Sequence, residues 1–122
     1  MGKISENFSR EEFICKCGNC GFATVDVELI DVLEDVRYHF DEPITINSGC
    51  RCKAHNEAEG GSSRSKHLEG IACDFKVRNF HADGVAAYLE DKYPDKYGIG
   101  RYNGRTHIDV RSIKARWDNR NV

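Results

Sequence analysis

The sequence predicts one α+β domain in which helices pack on an antiparallel sheet. The chain has 122 residues, and this length supports a single domain over residues 1–122 with one modest core. Hydrophobic residues make up 39% and charged residues 31%, as in an ordinary globular protein. Helix and strand patterns follow one another as helix, strand, helix, strand, helix and hairpin. This order favours helices gathered on one antiparallel sheet.

A short turn and a long helix are predicted first. Residues 8–13 form a helical turn that Ser9 caps, with Glu12 at the spacing of a capping box. Residues 26–40 form the clearest helix, and Pro43 ends it. Its apolar side chains recur at intervals of three and four residues, which indicates one buried face. They are Leu29, Val32, Leu33, Val36 and Phe40.

Two strands and two further helices follow. Residues 44–46 are β-branched and predict a short strand, and residues 53–59 predict a short helix. Residues 71–77 predict a strand that turns Cys73 and Phe75 to one face and Asp74 to the other. Residues 80–92 predict another helix, although Gly84 weakens it. Residues 97–102 and 106–110 predict a hairpin, because Asn103-Gly104 favours a tight turn between strands.

Charge and hydropathy exclude several functions. The formal net charge is −2 and no basic stripe is present, so a nucleic-acid partner is not expected. The N-terminus has no apolar signal segment, and no stretch approaches the ~20 apolar residues of a membrane span. We therefore expect a protein that is made in the cytoplasm and has no membrane partner. We also expect it to be a monomer.

Two segments carry residues suited to a catalytic zinc ion. His67 precedes the strand that contains Asp74, and His107-x-Asp109 lies on the second strand of the hairpin. A catalytic zinc usually takes three His, Asp or Glu ligands and keeps one position for water. Pairing of the two strands would bring His107 near Asp74. Spacing alone leaves ordinary roles open, such as a solvated histidine, an ion pair at Asp74 or a polar strand face.

Three motifs in order resemble those of the M15 peptidases, a superfamily of zinc D-Ala-D-Ala carboxypeptidases and murein endopeptidases. Ser65-x-His67-x-x-Gly70-x-Ala72-x-Asp74 is followed by His107-x-Asp109 and preceded by Ser48-Gly49-Cys50-Arg51 and His55-Asn56. The resemblance covers about residues 44–111. It implies the fold shared by these enzymes and the hedgehog signalling domain. The short chain looks most like the phage endolysins.

The resemblance also implies roles for individual residues. His67, Asp74 and His107 would bind one catalytic zinc. Arg51 would bind a substrate carboxylate or stabilise the oxyanion, and Ser65 would support substrate binding. Many relatives carry an acidic general base three residues before the third ligand, where this chain has Gly104. Asp109 is the nearest acidic alternative, and Glu69 and Glu57 are weaker ones.

Six cysteines raise the question of a second metal. Cys15, Cys17 and Cys20 lie in a loop at residues 15–21, and with Cys50 or Cys52 they could form a Cys₄ structural zinc site. Free thiols or a disulfide formed after release are the alternatives. Cys73 is expected to pack in the core as a small hydrophobe.

Two functions follow from these patterns. The first is a zinc peptidase that hydrolyses peptide bonds in peptidoglycan stem peptides or cross-links, acting on the bacterial cell wall after release or delivery. The second is a non-catalytic zinc module that binds the wall or a protein, which the glycine at position 104 would suit. A cysteine-zinc nucleic-acid protein is a third, weaker interpretation, and the net charge opposes it.

Overall fold

The computed structural model describes residues 3–17, 25–49, 51, 53–58 and 65–120. Within these residues it has the predicted α+β architecture. The helices are α1 (Val27–Phe40), α2 (Lys53–Ala58) and α3 (Ala82–Lys92), with 3₁₀ turns at Arg10–Phe13 and Lys66–Glu69. The strands are β1 (Ile44–Ser48), β2 (Ala72–Val77), β3 (Gly98–Tyr102), β4 (Arg105–Asp109) and β5 (Ala115–Asp118). None of the described helices is long and apolar enough to cross a bilayer.

The five strands form one sheet in the order β1-β2-β4-β3-β5. The first three pairings are antiparallel, as predicted, but β3 and β5 run parallel, so the sheet is mixed. Both sides of β4 are already paired when the chain turns back after it. β5 therefore adds to the open edge of β3, which runs in the same direction. The sequence did not predict β5, because its four residues lack a clear apolar alternation.

The long helix begins and ends as its sequence suggests. The Asp26 carboxylate accepts the N–H of Glu28 at 2.8 Å, which caps the first turn of α1. The helix stops at Asp41, whose left-handed backbone (φ 53°) breaks the hydrogen-bond ladder. Helix α3 is joined to α1 by a hydrogen bond that the Tyr88 hydroxyl donates to the Asp35 carboxylate at 2.7 Å. Gly84 does not prevent α3 from forming.

The two faces of the sheet have different contents. Cys73, Phe75 and Ile108 are fully buried on one face, where the apolar sides of α1 and α3 cover them. Cys73 is a free thiol in this core, as expected from its place on the strand. The alternate residues Asp74 and His107 point to the opposite face and stand directly opposite each other across β2 and β4. The polar side chains of interest are thus separated from the core by one layer of backbone.

Gly49, at the end of β1, lies against the N-terminal 3₁₀ turn. A Cβ at this position would be 2.6 Å from the Cα of Phe13 and 2.7 Å from its carbonyl oxygen. These are backbone atoms, so no rotamer change relieves the clash, and we expect Gly49→Ala to lower the free energy of unfolding by about 1–3 kcal/mol. Urea denaturation measures the loss. Gly84→Ala is the control, because a Cβ there meets nothing within 4 Å. Equal midpoints for Gly49→Ala and the wild type would contradict the prediction.

Candidate metal centre

His67 is fixed by the turn that carries it. The Ser65 hydroxyl accepts the backbone N–H of His67 at 3.2 Å, and Gly70 ends the turn in the left-handed region (φ 71°). The ring Nδ1 of His67 donates to the carbonyl oxygen of Gly49 at 2.5 Å. This bond sets the tautomer, so Nε2 carries the lone pair. Nε2 lies 3.5 Å from the Oδ2 of Asp74.

Asp74 and His107 approach each other because β2 and β4 pair in the register that places them opposite. The Nδ1 of His107 lies 2.9 Å from the Oδ1 of Asp74, and both side chains are buried. Burial raises the pKa of Asp74, but hydrogen bonds from His107 and His67 outweigh it and hold the pKa of this carboxyl well below its usual range. Asp74 is therefore ionised, as a metal ligand must be.

Asp109 bonds the ring nitrogen of His107 that is turned away from Asp74. Its Oδ2 accepts from the Nε2 of His107 at 2.8 Å, and Arg111 donates to both carboxylate oxygens at 2.7 Å. Burial lowers the pKa of His107, but its hydrogen bonds with Asp109 and Asp74 raise it above the usual value. The imidazole is thus clamped with Nε2 towards Asp109 and Nδ1 towards Asp74.

Trp117 of β5 covers the same imidazole. Its ring centroid is 4.9 Å from that of His107, and its indole N–H donates to the Tyr102 hydroxyl at 2.8 Å. The indole lies directly over Gly100, where a Cβ would come within 2.4 Å of it. Glycine at position 100 therefore makes room for the tryptophan that packs against His107.

The three donors fit a zinc ion. One ring nitrogen each of His67 and His107 and a carboxylate oxygen of Asp74 all lie within 4.8 Å of one another. Tetrahedral zinc at ~2.0–2.2 Å from its ligands needs ligand atoms about 3.4 Å apart. The Nε2 of His67 is 3.5 Å from the Oδ2 of Asp74, and the Nδ1 of His107 is hydrogen-bonded to the Oδ1 at 2.9 Å. Two neutral imidazoles and one carboxylate are a zinc-type donor set. Each histidine also donates its second ring nitrogen to a fixed acceptor, as metal-binding histidines usually do.

Comparison with protein families decides the relationship. The family model described as Peptidase M15 matches residues 6–109. The chain belongs to the M15 peptidase family. M15 peptidases are typically zinc-dependent, and the match contains His67, Asp74 and His107. A search of curated proteins gives no match.

Arg51 lies beside the cluster of His67, Asp74 and His107. Its Nη2 is 3.7 Å from the Oδ2 of Asp74, and its backbone N–H donates to the carbonyl oxygen of His67 at 3.0 Å. The buried Asn56 accepts from Nη1 at 3.1 Å, and the Ser48 hydroxyl accepts from Nε at 3.3 Å. These bonds hold the guanidinium at the edge of the cluster, where it can meet an anionic group of a substrate.

The structure groups most of the residues that the sequence singled out. His67, Asp74, His107 and Arg51 form one cluster, and Ser65 supports its turn; a direct contact of Ser65 with substrate stays a prediction. The proposed general base Asp109 is not favoured by its position, because its oxygens are bonded to His107 and Arg111 behind the imidazole.

The ligand group around Asp74 includes none of the other acidic and cysteine candidates that the structure describes. Glu69 pairs with Lys66 at 3.2 Å, and Glu57 is exposed on α2. Cys15 is buried and Cys17 is half-buried. Cys20, Cys50 and Cys52 lie outside the described residues, so the Cys₄ site stays a prediction.

The sequence did not indicate the residues that hold Arg51 and His107 in place. Asn56 was visible in the His55-Asn56 motif, but only the structure shows that it holds Arg51. Trp117 lies beyond the recognised motifs, in the strand that was not predicted. The only available signal was a lone tryptophan, which is too common in protein cores to indicate a site.

Proposed function

We propose that this chain is a zinc-dependent peptidase that hydrolyses peptide bonds in peptidoglycan stem peptides or cross-links. One observation carries the proposal: a chain of the M15 family brings one ring nitrogen each of His67 and His107 together with a carboxylate oxygen of Asp74. The cell wall as target follows from resemblance to the wall-cleaving members of the family. The loops around the site determine whether a stem peptide or a cross-link is cut.

Each nearby residue has a task in this chemistry. When bound, zinc supplies Lewis-acid activation of a water molecule and of the scissile carbonyl group. The carbonyl oxygen of Gly49 and the carboxylate of Asp109 keep the two imidazoles turned towards Asp74. The guanidinium of Arg51 is permanently charged, so it can bind a substrate carboxylate or stabilise negative charge on the reacting carbonyl oxygen.

Purified peptidoglycan tests the proposal. We expect the zinc-loaded chain to release free amino groups from the wall, because each hydrolysed peptide bond yields one amine. Treatment with a chelator should remove the activity, and added zinc should restore it. Mass analysis of the fragments identifies the bond that is cut. Release that continues at full rate after complete metal removal would contradict the proposal.

A second function is favoured by one feature of the sequence and fold. Gly104, which stands where many M15 relatives carry an acid, lies in the hairpin turn with φ +74° and has no side chain to accept a proton. The alternative is a zinc-containing module that binds the wall or a protein without cutting. Co-sedimentation with peptidoglycan, without amine release at any zinc concentration, would favour this module over the enzyme.

A further inference from the structure

A cationic basin opens beside Asp74, on the face of the sheet that carries the metal ligands. It has a volume of about 340 Å³, and Asp74 is the only carboxylate among the described residues that line it. Four lining side chains carry positive charge: Lys16, Arg51, Lys76 and Arg105. The local excess of three positive charges contrasts with the net charge of −2 of the whole chain. The basin is therefore suited to an anion.

Two of these cations extend the strands that carry the ligands. Lys76 follows Asp74 by two residues on β2, and Arg105 precedes His107 by two residues on β4, so alternation places all four on one face. Two residues of strand span about 7 Å, so the backbone positions of Lys76 and Arg105 lie roughly that far along the sheet from Asp74 and His107, while the Nε of Arg105 reaches back to 4.0 Å from the Oδ2 of Asp74. An extended substrate covers about two residues over the same distance.

Among the described residues, neither cation has a carboxylate to itself. Within the described residues Lys76 is exposed and has no carboxylate within ion-pair distance. Arg105 stacks on the Tyr102 ring with its Cζ 4.4 Å from the ring centroid, and its Nε is 4.0 Å from the Oδ2 of Asp74. Asp74 also contacts Arg51, His67 and His107, so its single negative charge is shared among four groups and does not balance the charge of Arg105. Arg105 is thus held in place with hydrogen-bond donors to spare.

We propose that Lys76 and Arg105 form a carboxylate-binding subsite, and that the preferred substrate is an acidic peptide with a free carboxylate about two residues from the bond that is cut. The inference rests on the proposed peptidase function and adds the class of substrate. Arg51, which is closer to the ligands, serves the reacting end of the peptide. Lys76 and Arg105 determine which peptide is chosen.

The test compares a stem tetrapeptide with the same peptide in which only the carboxylate about two residues from the scissile bond is a carboxamide, so that any carboxylate at the reacting end, which Arg51 can bind, is the same in both. Each is titrated into the zinc-loaded chain and followed by nuclear magnetic resonance. Protein amide shifts report binding, and peptide signals report cleavage in the same sample. The variant is Lys76→Gln with Arg105→Gln. The control is Arg37→Gln with Lys92→Gln, which removes the same charge from the exposed helical side of the molecule.

We expect the wild type and the control to prefer the carboxylate peptide by about 10- to 100-fold, the usual weight of hydrogen bonds to a charged group. The double variant should lose this preference through weaker binding, with little change in kcat. Arg105→Lys should keep part of it. Equal binding of the two peptides by the wild type, or a preference that survives in the double variant, would overturn the subsite. Absence of any cleavage would instead count against the peptidase function, because binding is read independently.

Discussion

Replacing His67 with alanine is expected to abolish stoichiometric zinc binding and to lower peptide hydrolysis by about a thousandfold or more. The ring supplies one of three protein donors, and a carboxylate with a single imidazole holds zinc poorly. A rate loss of this size corresponds to several kcal/mol of transition-state stabilisation, which is what a Lewis acid contributes. Metal analysis of the dialysed protein and amine release from peptidoglycan measure the two effects.

His39→Ala is the matched control for this experiment. His39 is exposed on α1, where it stacks on Tyr88 with ring centroids 3.8 Å apart, on the helical side of the sheet. We expect its removal to leave zinc content and activity unchanged. A His67→Ala protein that still bound one zinc and still cut peptidoglycan would contradict the assignment of the metal site.

Asp109→Asn is expected to weaken zinc binding by about 10- to 100-fold and to lower the free energy of unfolding by about 3 kcal/mol. Asp109 is fully buried and joins His107 to Arg111, so its neutralisation leaves a guanidinium charge without its partner. The affinity falls because the carboxylate orients the imidazole and raises its basicity. Zinc titration and urea denaturation give the two numbers separately.

The same variant separates two roles for Asp109. As a residue that positions His107, it should become dispensable when zinc is saturating, and most activity should return. As a general base, its loss should cost about 10²- to 10⁴-fold even at saturating zinc. The structure favours the first result, because the Asp109 oxygens face the side of the ring away from Asp74. Asp118→Asn, which alters the exposed pair with Arg120, is the control and should change neither quantity.

The fold was predictable where local patterns determine structure. The apolar spacing of α1, the alternation in β2 and the Asn103-Gly104 turn each predicted an element that forms within two residues of the expected bounds. β5 could not be predicted in this way, because it exists only by adding to the edge of β3. Its parallel direction depends on which neighbouring edges are already paired, and no local pattern carries that information.

The clustering of His67, Asp74 and His107 was predictable from their motifs, and strand alternation placed His107 and Asp109 on one face. Alternation cannot tell which ring nitrogen of His107 meets which carboxylate. The sequence therefore suggested Asp109 as the general base, whereas in the structure Asp109 accepts a hydrogen bond from the Nε2 of His107. The cationic basin escaped prediction for a related reason. Lys76 and Arg105 are 29 positions apart in the chain, and only the β2–β4 register brings them into one basin.

The separation of the core and the polar cluster onto opposite faces of the sheet makes this scaffold suitable for redesign. Lys76 of β2 and Arg105 of β4 lie on the polar face of the sheet, and Phe75 and Ile108 lie on the core face. Exchanging Lys76 or Arg105 should therefore leave the packing of Phe75 and Ile108 undisturbed. Libraries built at the two cationic positions could alter peptide selectivity while the thermal tolerance of the domain stays the same. Substitutions at the core-facing positions between them would instead destabilise the domain without contacting the bound peptide.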